Sequence, residues 1–262
     1  MMEEFLFEAQ VMGCTFSVSL IDSDKARATR TFDHMFKKAQ EYEAEFSRFI
    51  PQSTLSKLNR EKYALVSREF LNVIGVGKIL HQRTNGVFNI LNDISRFGYD
   101  ADFSLIVGKD RTPSSPAHYS TDIQTLVIDA ERGSVTLGST QAVDVGGFLK
   151  GYVAEHLARL ARQAQGVIVN IGGDIFTRGT GVGGEPFSFE IENPLRPLEP
   201  VSFLCSGGGI ATSGSYKRAW KLHGKPFFHI LGKDGMDNPD TDIVSATVCA
   251  PTGHEAEAFA TT

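Results

Sequence analysis

Glu257 and Thr261 stand four residues apart near the end of the chain. On a helix that spacing puts a carboxylate and a hydroxyl on one face. Both are hard oxygen donors, the kind that hold Mg²⁺ together with waters and phosphate oxygens. The same pair also fits a solvated acid and a threonine on a fraying helix. A second chemical stretch is Val143-Asp144-Val145-Gly146-Gly147-Phe148-Leu149-Lys150-Gly151-Tyr152. It reads as a β-branched entry carrying an acid, a glycine turn at Gly146 and Gly147, and a helix start carrying Lys150. The first amides of a helix lack internal partners, and its dipole favours an anion there. Glycines admit a ligand close to the backbone. A phosphate site and an ordinary connection with a solvated lysine are both open on these ten residues. His229, within Phe227-Phe228-His229-Ile230-Leu231, fits a strand histidine as well as a catalyst, and Ser213-Gly214-Ser215-Tyr216 fits a turn with or without a ligand.

The elements that must position these residues are legible to different degrees. From Ala26 to Phe46, Phe32, Met35, Phe36, Ala39, Tyr42 and Phe46 fall on one helical face. A second helix is predicted over 68–84, after Ser67, where Gly75 and Gly77 imply a close packing contact. Ser53 or Ser56 caps a short turn through Asn59. Phe5 to Leu20 alternates as a strand or hairpin broken at Met12-Gly13. Residues 100–122, with Pro113 and Pro116, read as a long surface loop. Gln124–Asp129 and Ser134–Gly138 form a hairpin, followed by the strand, turn and helix of the glycine stretch, the helix ending near Gly166. Val167–Ile171 is a buried-type strand leading to Gly172-Gly173-Asp174. Phe187–Ile191, Ile210–Ser215, a hairpin around His223-Gly224-Lys225 and Val244–Ala250 add strands, and Gly253 opens a last helix. Long helices among runs of hairpins indicate α+β, in one domain over residues 1–262.

Composition removes several classes. A net charge of −5 and no run of like charges offer no nucleic-acid surface. No window approaches a membrane span. The three cysteines lack metal or disulfide spacing, which fits a reducing compartment. Val11-Met12-Gly13-Cys14 looks like a lipoprotein cleavage box, but the acidic residues before it do not make a signal peptide. A soluble, cytoplasmic protein is expected, or a membrane-associated or exported one where a leader has been removed. Gly172-Gly173-Asp174-Ile175-Phe176 matches the GGDEF motif of cyclic-dinucleotide synthases only in part, without its acidic fourth residue.

Taken together and in order, these pieces resemble the ApbE family of FAD:protein FMN transferases. Met12-Gly13-Cys14 resembles its Met-Gly-Thr. Phe46-Ser47-Arg48-Phe49 through Ser53, Leu55, Ser56 and Asn59 resembles its "fSrf…dSelsrlN". Gly86–Asn89 is similar to "GaFDp", Phe97-Gly98-Tyr99 to "wGf", and Val143–Tyr152 to "iDlGGiaKGya". Asn170–Asp174 resembles "niGGdi", Ile191–Pro194 "gI.dP", Ala211–Tyr216 "atSGdy", and Ala256–Thr261 "aDalaTa". The resemblance implies a largely antiparallel ApbE-like fold with packed helices and a flavin cleft between two subdomains. It implies FAD as substrate, Mg²⁺ as cofactor and a partner protein whose Ser or Thr hydroxyl receives FMN as AMP leaves. Glu257, Thr261 and the Gly147 carbonyl are then the metal ligands. Lys150 and His229 are the catalytic candidates. Met12, Gly13, Phe49, Gly146, Gly147, Lys150, Gly172, Gly173, Asp174, Ser213, Gly214 and Tyr216 are the cofactor-binding candidates.

The chain departs from the family at identifiable places. The family's "HIIDPxTG" is here His229-Ile230-Leu231-Gly232-Lys233-Asp234-Gly235-Met236, and its "FDp" ends in Asn89-Ile90. Glu257 stands for the metal aspartate, moving an oxygen by about 1.5 Å. Members usually continue past the last helix into a strand, so either a chain truncated at its C-terminus or an unusual gene is expected. Two alternatives stay open: a catalytically weakened FAD-binding protein, and an FAD pyrophosphatase giving FMN and AMP.

Overall fold

A computed structural model describes residues 1–112 and 119–262. In chain order the elements are β1 (Glu3–Val11), β2 (Cys14–Asp22), α1 (Lys25–Phe46), α2 (Thr54–Glu61), β3 (Tyr63–Leu65), α3 (Arg68–Arg83), α4 (Phe103–Ile106), β4 (Asp110–Arg111), β5 (Val127–Asp129) and β6 (Ser134–Thr136). They continue with α5 (Leu149–Ala158), β7 (Gly166–Ile171), β8 (Asp174–Gly179), β9 (Phe187–Ile191), β10 (Val201–Cys205), β11 (Gly207–Gly214), β12 (Ala219–Leu222), β13 (Lys225–Phe228), β14 (Ser245–Ala250) and α6 (Gly253–Ala260). Mixed helices and mostly antiparallel sheets make this an α+β fold, as expected.

The chain divides into two compact units. The first comprises Met1–Glu43, Phe148–Ser213 and Ser245–Ala260; the second comprises Ala44–Gly147, Gly214–Val244 and Thr261–Thr262. The first is built on a six-stranded sheet of order β1-β2-β7-β8-β11-β14. Its hairpins turn where left-handed backbone is required. Met12 (φ 55°) and Gly13 (φ 68°) join β1 to β2, and Gly172 (φ 62°) and Gly173 (φ 102°) join β7 to β8. Helix α1 begins where Asp24 accepts the Ala26 amide at 2.9 Å. Its apolar face stacks Phe32 on Phe7 and Phe16 and buries Met35 and Ala39 completely. Helix α5 packs on β7, β8 and α6.

The second unit has its own core of Ile94, Phe97, Tyr99, Ile106, Trp220 and Phe227. Ser67 caps α3 through the Phe70 amide at 2.9 Å, and Ser53 caps α2 through that of Ser56 at 3.0 Å. Gly77 is where α3 is approached closely: a Cβ there would lie 2.7 Å from Ile90 Cγ2, whereas one at Gly75 would meet nothing within 4 Å. The expected loop over 100–122 is wrong in its first half. Asp102 accepts the Ser104 amide at 2.9 Å and starts one turn of helix, which buries Ile106. Residues Asp110–Arg111 then pair in parallel with β12. Of the rest of that reading, 113–118, with Pro113 and Pro116, lie outside the described residues.

The entry to the glycine stretch is also not a strand. A side chain satisfies the backbone of Val143: Asn59 donates to the Val143 carbonyl at 2.8 Å and accepts its amide at 2.7 Å. The Asp144 amide reaches the Ile90 carbonyl at 2.8 Å. Two further boundaries move. Helix α5 stops at Ala158 rather than near Gly166, and β13 stops at Phe228. Beyond β13, Asn238 accepts the Phe228 amide at 3.0 Å and donates to the carbonyls of Phe228 and Ile230 at 2.7 and 2.6 Å. The side chain of Asn238 thus takes the place of a neighbouring strand, and His229 follows the strand instead of sitting in it.

Candidate active site

In the first unit the turn of one hairpin and the helix starts bring charge to one end of the sheet. The Lys150 ammonium, in the first turn of α5, pairs with Asp174 Oδ2 and lies 2.8 Å from Glu257 Oε1. Glu257 Oε2 accepts the Gly151 amide at 2.7 Å. Asp174 and Glu257 are only 5% and 3% exposed. Two nearly buried carboxylates therefore converge on one ammonium, which offsets the cost of desolvating them. Phe148, the N-cap of α5, makes no side-chain cap bond. Glu257 supplies that cap from α6, so the chain's own carboxylate takes the third amide of α5.

Both tight turns lie at this end of the sheet. The Gly172 amide donates to the Thr15 carbonyl at 3.0 Å, and a Cβ at Gly172 would meet Cys14 Sγ at 2.9 Å. The Gly173 amide donates to Asn170 Oδ1 at 2.8 Å. The Met12 amide donates to Glu43 Oε1 at 2.8 Å, across from α1. On β11, Ile210 pairs with Ile175, so Ser213 runs on toward the Asp174 end. Met12, Gly13, Gly172, Gly173, Asp174, Lys150, Ser213 and Glu257 thus share one region of the first unit.

The remaining candidates lie in the second unit. Asp144 accepts the Gly146 amide at 2.8 Å and faces Arg48 at 3.6 Å. The Arg48 guanidinium sits 4.5 Å from the ring centres of both Phe49 and Tyr99 and donates to the Tyr99 carbonyl at 2.6 Å. Phe49 keeps 43% of its surface open. Burial holds the nearby Asp93 carboxyl above its ordinary value, against the hydrogen bond from Ser95. Gly147 is a close approach, with Phe88 Cε2 3.1 Å from where a Cβ would sit. Tyr216 lies over Gly214, whose Cβ would be 2.7 Å from the ring. Of the expected metal donors, Glu257 belongs to the first unit, and Gly147 and Thr261 to the second. Among the described residues, no group of three or more His, Cys, Asp or Glu is placed to hold a metal.

Sequence reasoning passed over three residues that this geometry singles out. Arg48 and Asp144 sat inside motifs already noticed, without a role. Glu155, which accepts the Gly253 amide at 3.0 Å, carried only its position four after Gly151, the same step that separates Glu257 from Gly253.

Residues 12–262 match the ApbE family. The FAD:protein FMN transferase of Salmonella typhimurium is 27% identical over 98% of this chain and 77% of that protein. That of Klebsiella pneumoniae is 26% identical over the same shares. Among solved structures, the ApbE protein of Thermotoga maritima superposes with a TM-score of 0.86 at 21% identity, covering 99% of this chain and 85% of that one. The flavin transferase ApbE of Vibrio cholerae gives 0.81 at 20% identity, covering 100% and 86%. The sheet, the two glycine turns and the lysine-centred carboxylate pair are accordingly those of a chain that belongs to the ApbE family.

Proposed function

We propose that this protein transfers FMN from FAD to a Ser or Thr hydroxyl of a partner protein. The hydroxyl oxygen attacks the phosphorus on the FMN side, the pyrophosphate P–O bond breaks, AMP leaves, and the hydroxyl proton passes to a base. The observation that carries this reading is the Lys150–Asp174–Glu257 cluster beside two glycine turns, in a chain whose relatives bear the name FAD:protein FMN transferase.

The donor set fits Mg²⁺ in kind. Glu257 brings a carboxylate, which already faces the Lys150 ammonium and the Gly151 amide. Thr261 adds a hydroxyl and Gly147 a carbonyl, and all are hard oxygens. When bound, the ion would supply Lewis-acid activation at phosphorus. The chain's own residues do the rest. Lys150 has three N–H donors; two face Asp174 and Glu257, and the third serves a phosphate oxygen. The turns at Met12-Gly13 and Gly172-Gly173 let the dinucleotide approach the backbone. Phe49, stiffened by Arg48, offers an open ring face to an aromatic group, and Tyr216 is a further candidate to line the flavin. His229 is the candidate to receive the hydroxyl proton.

The test is incubation with FAD and Mg²⁺, with and without a Ser/Thr-bearing acceptor protein, following AMP by chromatography and covalent flavin by gel fluorescence. AMP with labelled acceptor is the expected result. AMP with free FMN makes the protein a pyrophosphatase, and neither product makes it a flavin binder.

A further inference from the structure

Helices α5 and α6 carry the same short pattern, Gly151-Tyr152-Val153-Ala154-Glu155 and Gly253-His254-Glu255-Ala256-Glu257. The structure uses the two copies reciprocally. Glu257 of α6 accepts the Gly151 amide of α5 at 2.7 Å. Glu155 of α5 accepts the Gly253 amide of α6 at 3.0 Å. Between them the backbones touch: a Cβ at Gly151 would sit 2.2 Å from the Gly253 carbonyl oxygen, and one at Gly253 2.0 Å from that of Gly151. Glycine at both places is what lets each glutamate reach across to the other helix's first turn, where the amides and the dipole favour a carboxylate. Glu155 is buried. Arg159 Nη2 lies 2.5 Å from its Oε1 and His254 Nδ1 3.4 Å from its Oε2.

We propose that Glu155 is a positioning residue: by holding the start of α6 it fixes where Glu257 presents its carboxylate to Lys150, and so the placement of the Glu257 donor. Resting on the flavin-transfer reading above, it adds that the metal-side acid is set by a glutamate that touches neither metal nor substrate. Loss of one half of the clamp should loosen the other half, because the two bonds share one helix–helix contact.

Hydrogen exchange of individual amides, read by NMR on the full chain, tests this without any activity. In Glu155→Ala, exchange at Gly253 and at Gly151 should both accelerate, at least tenfold, although Gly151 has lost no partner of its own. Glu155→Gln keeps an oxygen acceptor and guards against a variant that fails to fold; both amides should accelerate together, by less. Acceleration at Gly253 alone overturns the proposal. The second arm is the Mg²⁺ dependence of AMP release. In Glu155→Gln the half-saturating Mg²⁺ should rise at least threefold while the FAD KM stays within twofold. A merely destabilised protein would lose active fraction and leave the Mg²⁺ midpoint unmoved, and that result also overturns the proposal. A wild-type chain that releases no AMP removes the flavin-transfer reading and leaves the exchange arm to decide the clamp.

Discussion

Glu257 is a ligand candidate and a helix cap at once, so its variants must be read with both roles in view. Removing the side chain in Glu257→Ala leaves Lys150 one carboxylate short and the Gly151 amide uncapped. A loss of about 3 kcal/mol is expected, measurable as a denaturant midpoint. Glu257→Gln keeps an acceptor for Gly151 and removes the charge. It should keep most of the stability and lose AMP release by at least about 100-fold. Met12 makes the opposite case. It holds a left-handed conformation that L-residues resist by about 1–2 kcal/mol, at a turn position where Asn is favoured. Met12→Asn should raise stability by about 1 kcal/mol in urea titration and weaken flavin binding. Strain of this sort is retained where a side chain is wanted for function. Asn89 explains one departure from the family. Its amide donates to the Thr121 carbonyl at 2.8 Å while its oxygen accepts the Leu91 amide at 3.0 Å. An ionised aspartate there could make only the second bond.

At the scale of elements, the contact between α5 and α6 admits no side chain at Gly253. Gly253→Ala would press a methyl group against the Gly151 backbone, which has no rotamer to change. About 3 kcal/mol of destabilisation is expected, read by thermal or chemical unfolding. The same contact gives a pH dependence. Burial pushes the Glu155 carboxyl up, but the neighbouring His254 ring, the hydrogen bond from Gly253 and the charge on Arg159 outweigh it and hold its pKa below the ordinary value. A depressed folded pKa contributes stability above the unfolded value of about 4.3. That contribution is lost as pH falls through the lower folded value. Glu155→Gln should therefore be less stable at neutral pH, with a shallower loss below about pH 4.3 in denaturant titrations at stepped pH.

At the scale of the molecule, each unit has its own core and its own reporter. Trp220, the one tryptophan in the chain, is buried in the second unit and donates to the Phe97 carbonyl at 2.9 Å. Its emission follows that core. Trp220→Phe, which leaves the Phe97 carbonyl without this donor, should cost about 2–3 kcal/mol by urea titration followed by far-UV circular dichroism. Local pattern determined much of this molecule from sequence alone. Helices α1 and α3, the hairpin turns at Met12-Gly13 and His223-Gly224, and the collinear family motifs all follow from periodicity, capping and glycine placement within a few residues. Tertiary structure decided what those rules do not reach. Val143 lies outside any strand, and its backbone partner is a side chain 84 residues away. Lys150 is not a solvated lysine because its carboxylates arrive from 24 and 107 residues along the chain. Glu155 takes a role because Gly253, 98 residues on, lies within hydrogen-bond reach. Propensity and capping act between neighbours in sequence, whereas charge pairing and desolvation act between neighbours in space, and only the packed chain says which residues those are.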